Sequence, residues 1–509
     1  MKNSKDKNKV LEGAGYSLFG RCGGLVFSLF FNFFLYRKFD NNDVGLLLLG
    51  LAVISMFEPI ARCGLAQGVQ RFVAVGMEKK SWSKIRGAII GSFQFSSISI
   101  IVVISLIWFF TPQLSQYFTK TDHADQLNRF SMIIRTYSFY LIPAVLLTLL
   151  LSALRALRDI KTTFYVNDIF IRISWLVLVL AVGYWHTDFD KMILMIIGFT
   201  IITVIGFVIA ALFFIRKAKE FFKVKSEFNR RALLFFSYPL IFQGILLIFM
   251  KQIDKLMIGR YCQTADVAVY NAAAILALQA GFVLASFASL FAPMIAGLHH
   301  RGDLDGLNHL YKTVARWVMI CALPIIALMM VMPDLFLNIF NITNSESAEF
   351  VVRILAIGQL VSICVGHSGY MLVMSGHTKL TLTNNVSAAI INVILNVWLI
   401  PKYGIIGAAV ATTTAIAIRN IASVIEIRFI LNASPFSAAL IKLFLFVIVC
   451  GVSVWFLRNN LPDMRWWIEI PICCAAFGII YTPLMWFFGM DEEDKNFLKT
   501  TVFNKLPMK

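Results

Sequence analysis

Charge is what this sequence has least of. Of its 509 residues only 15% are Asp, Glu, Lys or Arg, whereas 59% are hydrophobic and the mean hydropathy is +0.77. A soluble globular chain carries about a quarter charged residues, so this composition excludes a water-soluble core. Acids are scarcer than bases, 28 against 46, which leaves a formal net charge of +18. In a soluble protein that excess would point to nucleic acid; here most Lys and Arg stand in short loops beside apolar runs, and no nucleic-acid partner is expected. The 8 cysteines occur mostly inside apolar runs, with no C-x-x-C and no paired spacing in loops, which excludes a disulfide framework and a thiolate metal site. His299, His300 and His309 fall in one loop, where a solvated surface is the expectation; no metal and no cofactor is expected. With no long loop and no Ser/His or His/Asp constellation in the apolar runs, the chain is not expected to be an enzyme such as a membrane polymerase or acyltransferase.

What abounds is apolar sequence in lengths of about 20 residues, enough to cross a bilayer as a helix. Such runs recur about fourteen times, which predicts an all-α integral membrane protein with about 14 transmembrane helices. The first six lie near Gly13–Tyr36, Val44–Leu65, Ile85–Phe110, Ser131–Leu154, Val166–Trp185 and Met192–Ile215. Six more lie near Leu233–Met257, Val267–Leu298, Val314–Met332, Val351–Met374, Leu382–Ile400 and Ile405–Ile430, before a last pair, Ala438–Leu457 and Trp466–Phe488. Loop charge sets the orientation. Lys2, Lys5, Lys7 and Lys9 precede the first run, and Arg71, Lys79, Lys80, Lys84 and Arg86 follow the second, while only Arg37 and Lys38 lie between. Along the chain, alternate loops hold roughly 29 and roughly 10 basic residues, which predicts cytoplasmic N- and C-termini. The Lys-rich start leads into an apolar run too long for a signal peptide and without a small-residue cleavage site, so it reads as an uncleaved first helix in the cytoplasmic membrane.

The two sets of six runs resemble each other. Asp43-Val44-Gly45 opens the second run and Asp266-Val267-Ala268 the eighth; Arg158, Lys161 and Thr162 precede the run bearing Asn167, as His377, Thr378 and Lys379 precede the one bearing Asn385. These features recur about 220 residues apart, the pattern of a duplicated transporter whose halves, each of even helix number, run parallel. The expected organisation is an N-lobe over residues 1–215, a basic linker over 216–231 lying on the membrane as an amphipathic helix, a C-lobe over 232–431, a helix pair over 432–490 and a cytoplasmic tail over 491–509.

Three stretches carry a closer likeness. Leu65, Gly68, Val69, Arg71 and Phe72 close the second run; Gln252, Asp254, Lys255 and Gly259 precede Val267 and Tyr270; and Ser375, Gly376, Lys379, Asn392, Asn396, Pro401, Tyr403, Gly404 and Gly407 form the most specific set. In these the chain resembles the polysaccharide exporters of the multidrug/oligosaccharidyl-lipid/polysaccharide (MOP) superfamily, in particular the Wzx-type flippases. The resemblance spans nearly the whole chain; Ala268 stands where the family usually has glycine. It implies two pseudo-symmetric six-helix lobes in a V, alternating access, and a lipid-linked saccharide of the undecaprenyl-pyrophosphate type as cargo, an O-antigen-type repeat unit among them. Polysaccharide polymerase machinery and membrane lipids are the further partners implied. A cation-coupled multidrug exporter shares this architecture and is the alternative.

Charges inside the runs are the candidate functional groups, because each costs about 2.5–3.5 kcal/mol at a helix centre. Arg21, Arg172, Lys251 and Arg419 are deep cations, and Arg62 lies at the end of the second run; with them the cleft is expected to be cationic and to bind substrate through these five. Glu58 and Asp254 are the deepest acids. Glu58 and Arg62, Asp168 and Arg172, and Lys251 and Asp254 share a helix face, so charge pairing competes with substrate binding and with H+ or Na+ coupling at the two acids.

Overall fold

The computed structural model of the protein describes residues 23–24, 26–120, 124–185, 189–227, 230–343, 345–436, 438–462, 464–490, 492 and 495. Among them the chain is all helical, without a strand. This follows from the sequence: inside hydrocarbon a backbone must satisfy its own N–H and C=O groups, and an open sheet cannot. Twelve helices are long and apolar enough to cross a membrane among the described residues. The first part of the expected first span, Arg21 included, lies outside the described residues.

The chain forms two compact units, one ending at Ala268 and the other beginning at Val269. The first comprises α1 (residues 26–38), α2 (Asn41–Ala61), α3 (Leu65–Glu78), α4 (Trp82–Phe118), α5 (Ala124–Ala156), α6 (Ile160–Thr163), a π-helical segment Phe164–Phe170, α7 (Ile171–Tyr184), α8 (Lys191–Lys217) and α9 (Arg230–Tyr261). Helix α5 is its hub, packing on α2, α3, α4 and α8. Ile133, Tyr137, Leu141 and Val145, one per turn, are all buried along it. Helix α9, which sequence assigned to the second lobe, packs here on α2, α3 and α4.

Helix α2 begins at the Asp40 cap, whose carboxylate accepts from the Asn42 N–H at 3.2 Å, and it ends where Cys63 and Gly64 turn left-handed. Gly64 has φ 63°, and a Cβ there would stand 2.4 Å from the Ser237 carbonyl of α9, so the position requires glycine on both counts. Beyond it the chain stays helical. The Arg71 to Lys84 stretch, expected as loop, is mostly α3, whose Leu65, Val69 and Val73 repeat every fourth residue and are buried.

At the end of this unit opposite Gly64, Arg129 ties three helices together. Its Nη1 donates to Asp43 at 2.7 Å, and its Nε and Nη2 donate to Asp190, which also caps α8 by accepting from Met192 N–H at 2.8 Å. Burial alone would raise the Asp190 pKa, but the Arg129 and Met192 hydrogen bonds outweigh it and hold the carboxyl below its ordinary value.

The basic linker departs from expectation. After α8 the chain makes one 3₁₀ turn, Lys219–Phe222, then runs irregularly through residue 227, where sequence suggested an amphipathic helix. Side-chain anchoring explains the difference: Phe221 is buried, Arg86 of α4 donates to the Phe222 and Val224 carbonyls, and Glu227 N–H donates to the Ser83 carbonyl at 3.2 Å. Backbone groups that an isolated helix would satisfy internally are taken up by α4.

The second unit continues α10 (Thr264–His300) with α11 (Leu304–Val331), α12 (Pro333–Ile339), α13 (Glu346–Val365), α14 (Ser368–Met374), α15 (Thr378–Leu431), α16 (Ala438–Asn460) and α17 (Trp466–Leu484). Helix α15, 54 residues long, is continuous only in name, because Gly404 has φ 57° and ψ −136°. A straight helix rises about 1.5 Å per residue, which would set Asn392 and Thr412 about 30 Å apart. They hydrogen-bond at 3.1 Å, and Asn384 bonds Glu426 at 2.7 Å. The segment is therefore a hairpin of two antiparallel spans, folded at Gly404, with an asparagine ladder between its arms. At another point in this unit Arg458 of α16 joins Asp334 of α12 at 2.9 Å and Glu469 of α17 at 2.9 Å.

Candidate functional site

Four helices of the first unit converge on a cavity of about 350 Å³. From α2 come Pro59 and, at its end, Arg62; the left-handed turn at Gly64 then directs Gln67 and Gln70 of α3 to the same space. From α5 come Thr148, Ser152 and Arg155, spaced four and three so that they share a face. From α9 come Gln243, Gly244, Leu247 and Lys251, again at helical spacing. Gly244 lets α9 lie close to α2, since a Cβ there would be 3.0 Å from Pro59. Arg62, Arg155 and Lys251 thus face one space, and no carboxylate lines it among the described residues.

Local bonds orient these groups. Glu58 sits one turn before Arg62 and accepts from its Nη1 at 3.3 Å. The Ser152 hydroxyl donates to the Thr148 carbonyl at 2.8 Å and accepts from Arg155 Nη2 at 3.1 Å. Lys251 lines the same cavity from α9, three positions before Asp254. Guanidinium, ammonium, amide and hydroxyl donors gathered in one low-dielectric space suit an anion with several oxygens, and the guanidinium fork matches phosphate bidentately.

Of the residues singled out by sequence, Arg62 and Lys251 meet here. Arg172 does not: its Nη1 donates to the Gly24 carbonyl at 2.7 Å and its Nη2 lies 3.9 Å from Asp168, beside the π-helical segment. Arg419 belongs to α15 in the second unit, next to Asn420, which bonds Ser362 at 2.8 Å. Glu58 acts here on Arg62, and Asp254 lies further along α9 outside the cavity lining. Sequence reasoning missed Arg155 and the three glutamines. The spacing of Thr148, Ser152 and Arg155 was the available signal, but the apolar run ends at Leu154, which made Arg155 look like loop.

Comparison with known proteins follows the same lines. A model of the polysaccharide biosynthesis protein family matches residues 10–299, and a MatE model matches residues 239–398. An uncharacterized membrane protein of Methanocaldococcus jannaschii is 19% identical over 495 residues, 95% of this chain and 96% of its own length. Among solved structures, lipid II flippase MurJ in an inward closed conformation superposes with a TM-score of 0.71 at 15% identity, covering 93% of this chain and 99% of that one. An inward-facing multidrug resistance MATE family transporter of the MOP superfamily gives 0.66 at 11% identity, covering 80% and 94%. At such identities the structural likeness is one of fold. With a family match over more than half its length and this fold throughout, the chain belongs to the polysaccharide biosynthesis protein family and is a MOP superfamily transporter of the polysaccharide-exporter type.

Proposed function

We propose that the protein is a flippase that moves a polyprenyl-pyrophosphate-linked oligosaccharide across the cytoplasmic membrane by alternating access, with both termini cytoplasmic. The observation that carries this is the cavity wall with Arg62, Arg155 and Lys251 and no carboxylate among the described residues. A pyrophosphate leaving water must exchange its hydration for cations and hydrogen-bond donors, and these residues supply both. The sugars ride in hydrated space while the polyprenyl tail stays in lipid. Arg419, and Arg21 outside the described residues, are further cations for the saccharide-phosphate on its way; Arg172, tied to Gly24 and Asp168, acts by holding its helix. A multidrug exporter is the second reading, favoured by the MatE match over residues 239–398, but a cationic organic drug gains nothing from three cations.

Vesicles reconstituted with the protein and a fluorescent undecaprenyl-pyrophosphate disaccharide test the reading. Arg155→Ala and Lys251→Ala are each expected to lower flipping by about tenfold or more, the scale of one charge-assisted hydrogen bond. Unchanged flipping in both variants, or efflux of a cationic dye that both variants leave intact, would remove it.

A further inference from the structure

A second concavity in the first unit plays no part in this scheme. It lies between α4 and α8, holds about 800 Å³, and is walled by Ile89, Phe93, Leu150, Phe207, Ala211 and Phe221. Phe93 and Phe207 meet across it with ring centroids 6.4 Å apart, and Phe214 and Phe221 close one end edge to face at 5.2 Å. It opens on the surface that faces hydrocarbon: Ile98, on its rim, is 63% exposed, and Ile101 and Val102 continue that bare face of α4. Its volume is within the range of about 300–1,000 Å³ typical of sites for small organic ligands.

The closed end is basic. Arg86 stacks over the Phe221 ring at 5.6 Å, is held there by the Phe222 and Val224 carbonyls, and has a buried Nε with no hydrogen-bond partner among the described residues. Lys84 is exposed on α4 two positions before it, Arg216 and Lys217 are exposed at the end of α8, and Lys223 and Lys225 are exposed just after the 3₁₀ turn. Asp159 occupies Lys217 at 3.3 Å and Glu220 occupies Lys223 at 3.0 Å, which leaves Lys84, Arg86, Arg216 and Lys225 against the single carboxylate of Glu227, bonded by Ser83 at 3.4 Å, so this end stays net positive.

We propose that this groove holds an acyl chain of an anionic phospholipid, with its phosphate against Arg86 and the basic turn. Two features single out this occupant: an apolar trough open to lipid, which a hydrocarbon chain enters directly, and a cation at its end fixed in place before any ligand arrives. Loop charge puts that end at the cytoplasmic face, where anionic lipids concentrate. The bound lipid fastens the turn between α8 and α9 to α4, and its binding is separate from cargo movement.

The test uses the full chain in phosphatidylcholine vesicles carrying a trace of phospholipid with a photoreactive acyl chain, once as phosphatidylglycerol and once as phosphatidylcholine. Cross-linked peptides are expected over residues 89–98 and 207–214, several-fold more from the phosphatidylglycerol probe. Ala211→Trp, which fills the trough, should remove this labelling and leave that of the remaining lipid-facing helices. Because Arg86→Gln also loosens the turn, Lys84→Gln with Lys225→Gln is the charge variant, and it should bring the two probes closer to parity. Equal labelling by both probes in the native chain, or labelling indifferent to Ala211→Trp, overturns the proposal. So does displacement of the phosphatidylglycerol probe by undecaprenyl phosphate, which would assign the groove to a polyprenyl tail. Flipping is not read, so the outcome is independent of the cargo assignment.

Discussion

Glu58 and Arg62 pose the question of coupling within one helical turn. They are four residues apart and 3.3 Å from each other, each about a quarter exposed. If Glu58 serves to neutralise Arg62, Glu58→Gln leaves an uncompensated cation, and flipping and stability should both fall, the latter by about 2 kcal/mol, the range of a charged hydrogen bond. Glu58→Gln with Arg62→Gln should then recover much of the stability. If Glu58 carries a proton instead, the transport that Glu58→Gln retains loses its dependence on a pH gradient; vesicle assays at matched and unmatched pH separate the two. Asp190 gives a second residue-scale test. Its carboxyl is held below the ordinary Asp value of about 3.9, so the stability it contributes is complete above that value and is lost as pH falls through the lower native one. The melting temperature of the native chain should therefore exceed that of Asp190→Asn by a constant margin from neutral pH down to about pH 5, and the margin should shrink below it. A margin that grows on acidification would contradict the Arg129 clamp.

At the scale of elements, Gly64 fixes where α3 starts and hence where Gln67 and Gln70 point. Gly64→Ala imposes a left-handed alanine, costing about 1–2 kcal/mol, and drives a methyl onto the Ser237 carbonyl. A drop of several degrees in detergent melting is expected, together with reduced flipping. The helices themselves were legible because a span declares itself by a long apolar run. Helix α3 was not, since Gln67, Gln70 and Arg71 interrupt its apolar residues and its pattern is the narrower stripe of Leu65, Val69 and Val73. Arg62 and Lys251 were legible as charges within apolar sequence. Arg155 was not, because a basic residue at the end of a run looks like one that reaches for water. That Arg155 faces the other two is decided by the packing of α5 on α2 and α3, which no local pattern encodes.

At the scale of the whole molecule, loop charge predicts which side each loop faces. Cysteine tags at Ser226 and Asn308 are expected to react only from the cytoplasm, and tags at Asn42 and Ser345 only from outside; a reversal between neighbouring loops would refute the orientation. Each unit also has an arginine between two carboxylates, Arg129 with Asp43 and Asp190 in the first and Arg458 with Asp334 and Glu469 in the second. The clamps share no partners, so the losses of melting stability in Arg129→Ala and Arg458→Ala should add in the double variant, within about 0.5 kcal/mol.

The fold at Gly404 has a consequence for how the chain enters the bilayer during synthesis. Span 382–400 presents Asn384, Asn392 and Asn396 along its length, and by itself it would offer those amides to hydrocarbon. The partners of Asn384 and Asn392, namely Ser423, Glu426 and Thr412, are made later, on the returning arm, whereas Asn396 donates to Asn392 within the first arm. The first arm therefore has reason to wait at the insertion machinery until the second emerges, and the two partition sideways into lipid as one hairpin. Only the tip around Pro401, Lys402 and Tyr403 has to cross to the far side. In nascent chains ending near residue 403 a photocross-linker at Asn392 should still react with the insertion machinery, and in those extended past Leu431 it should not.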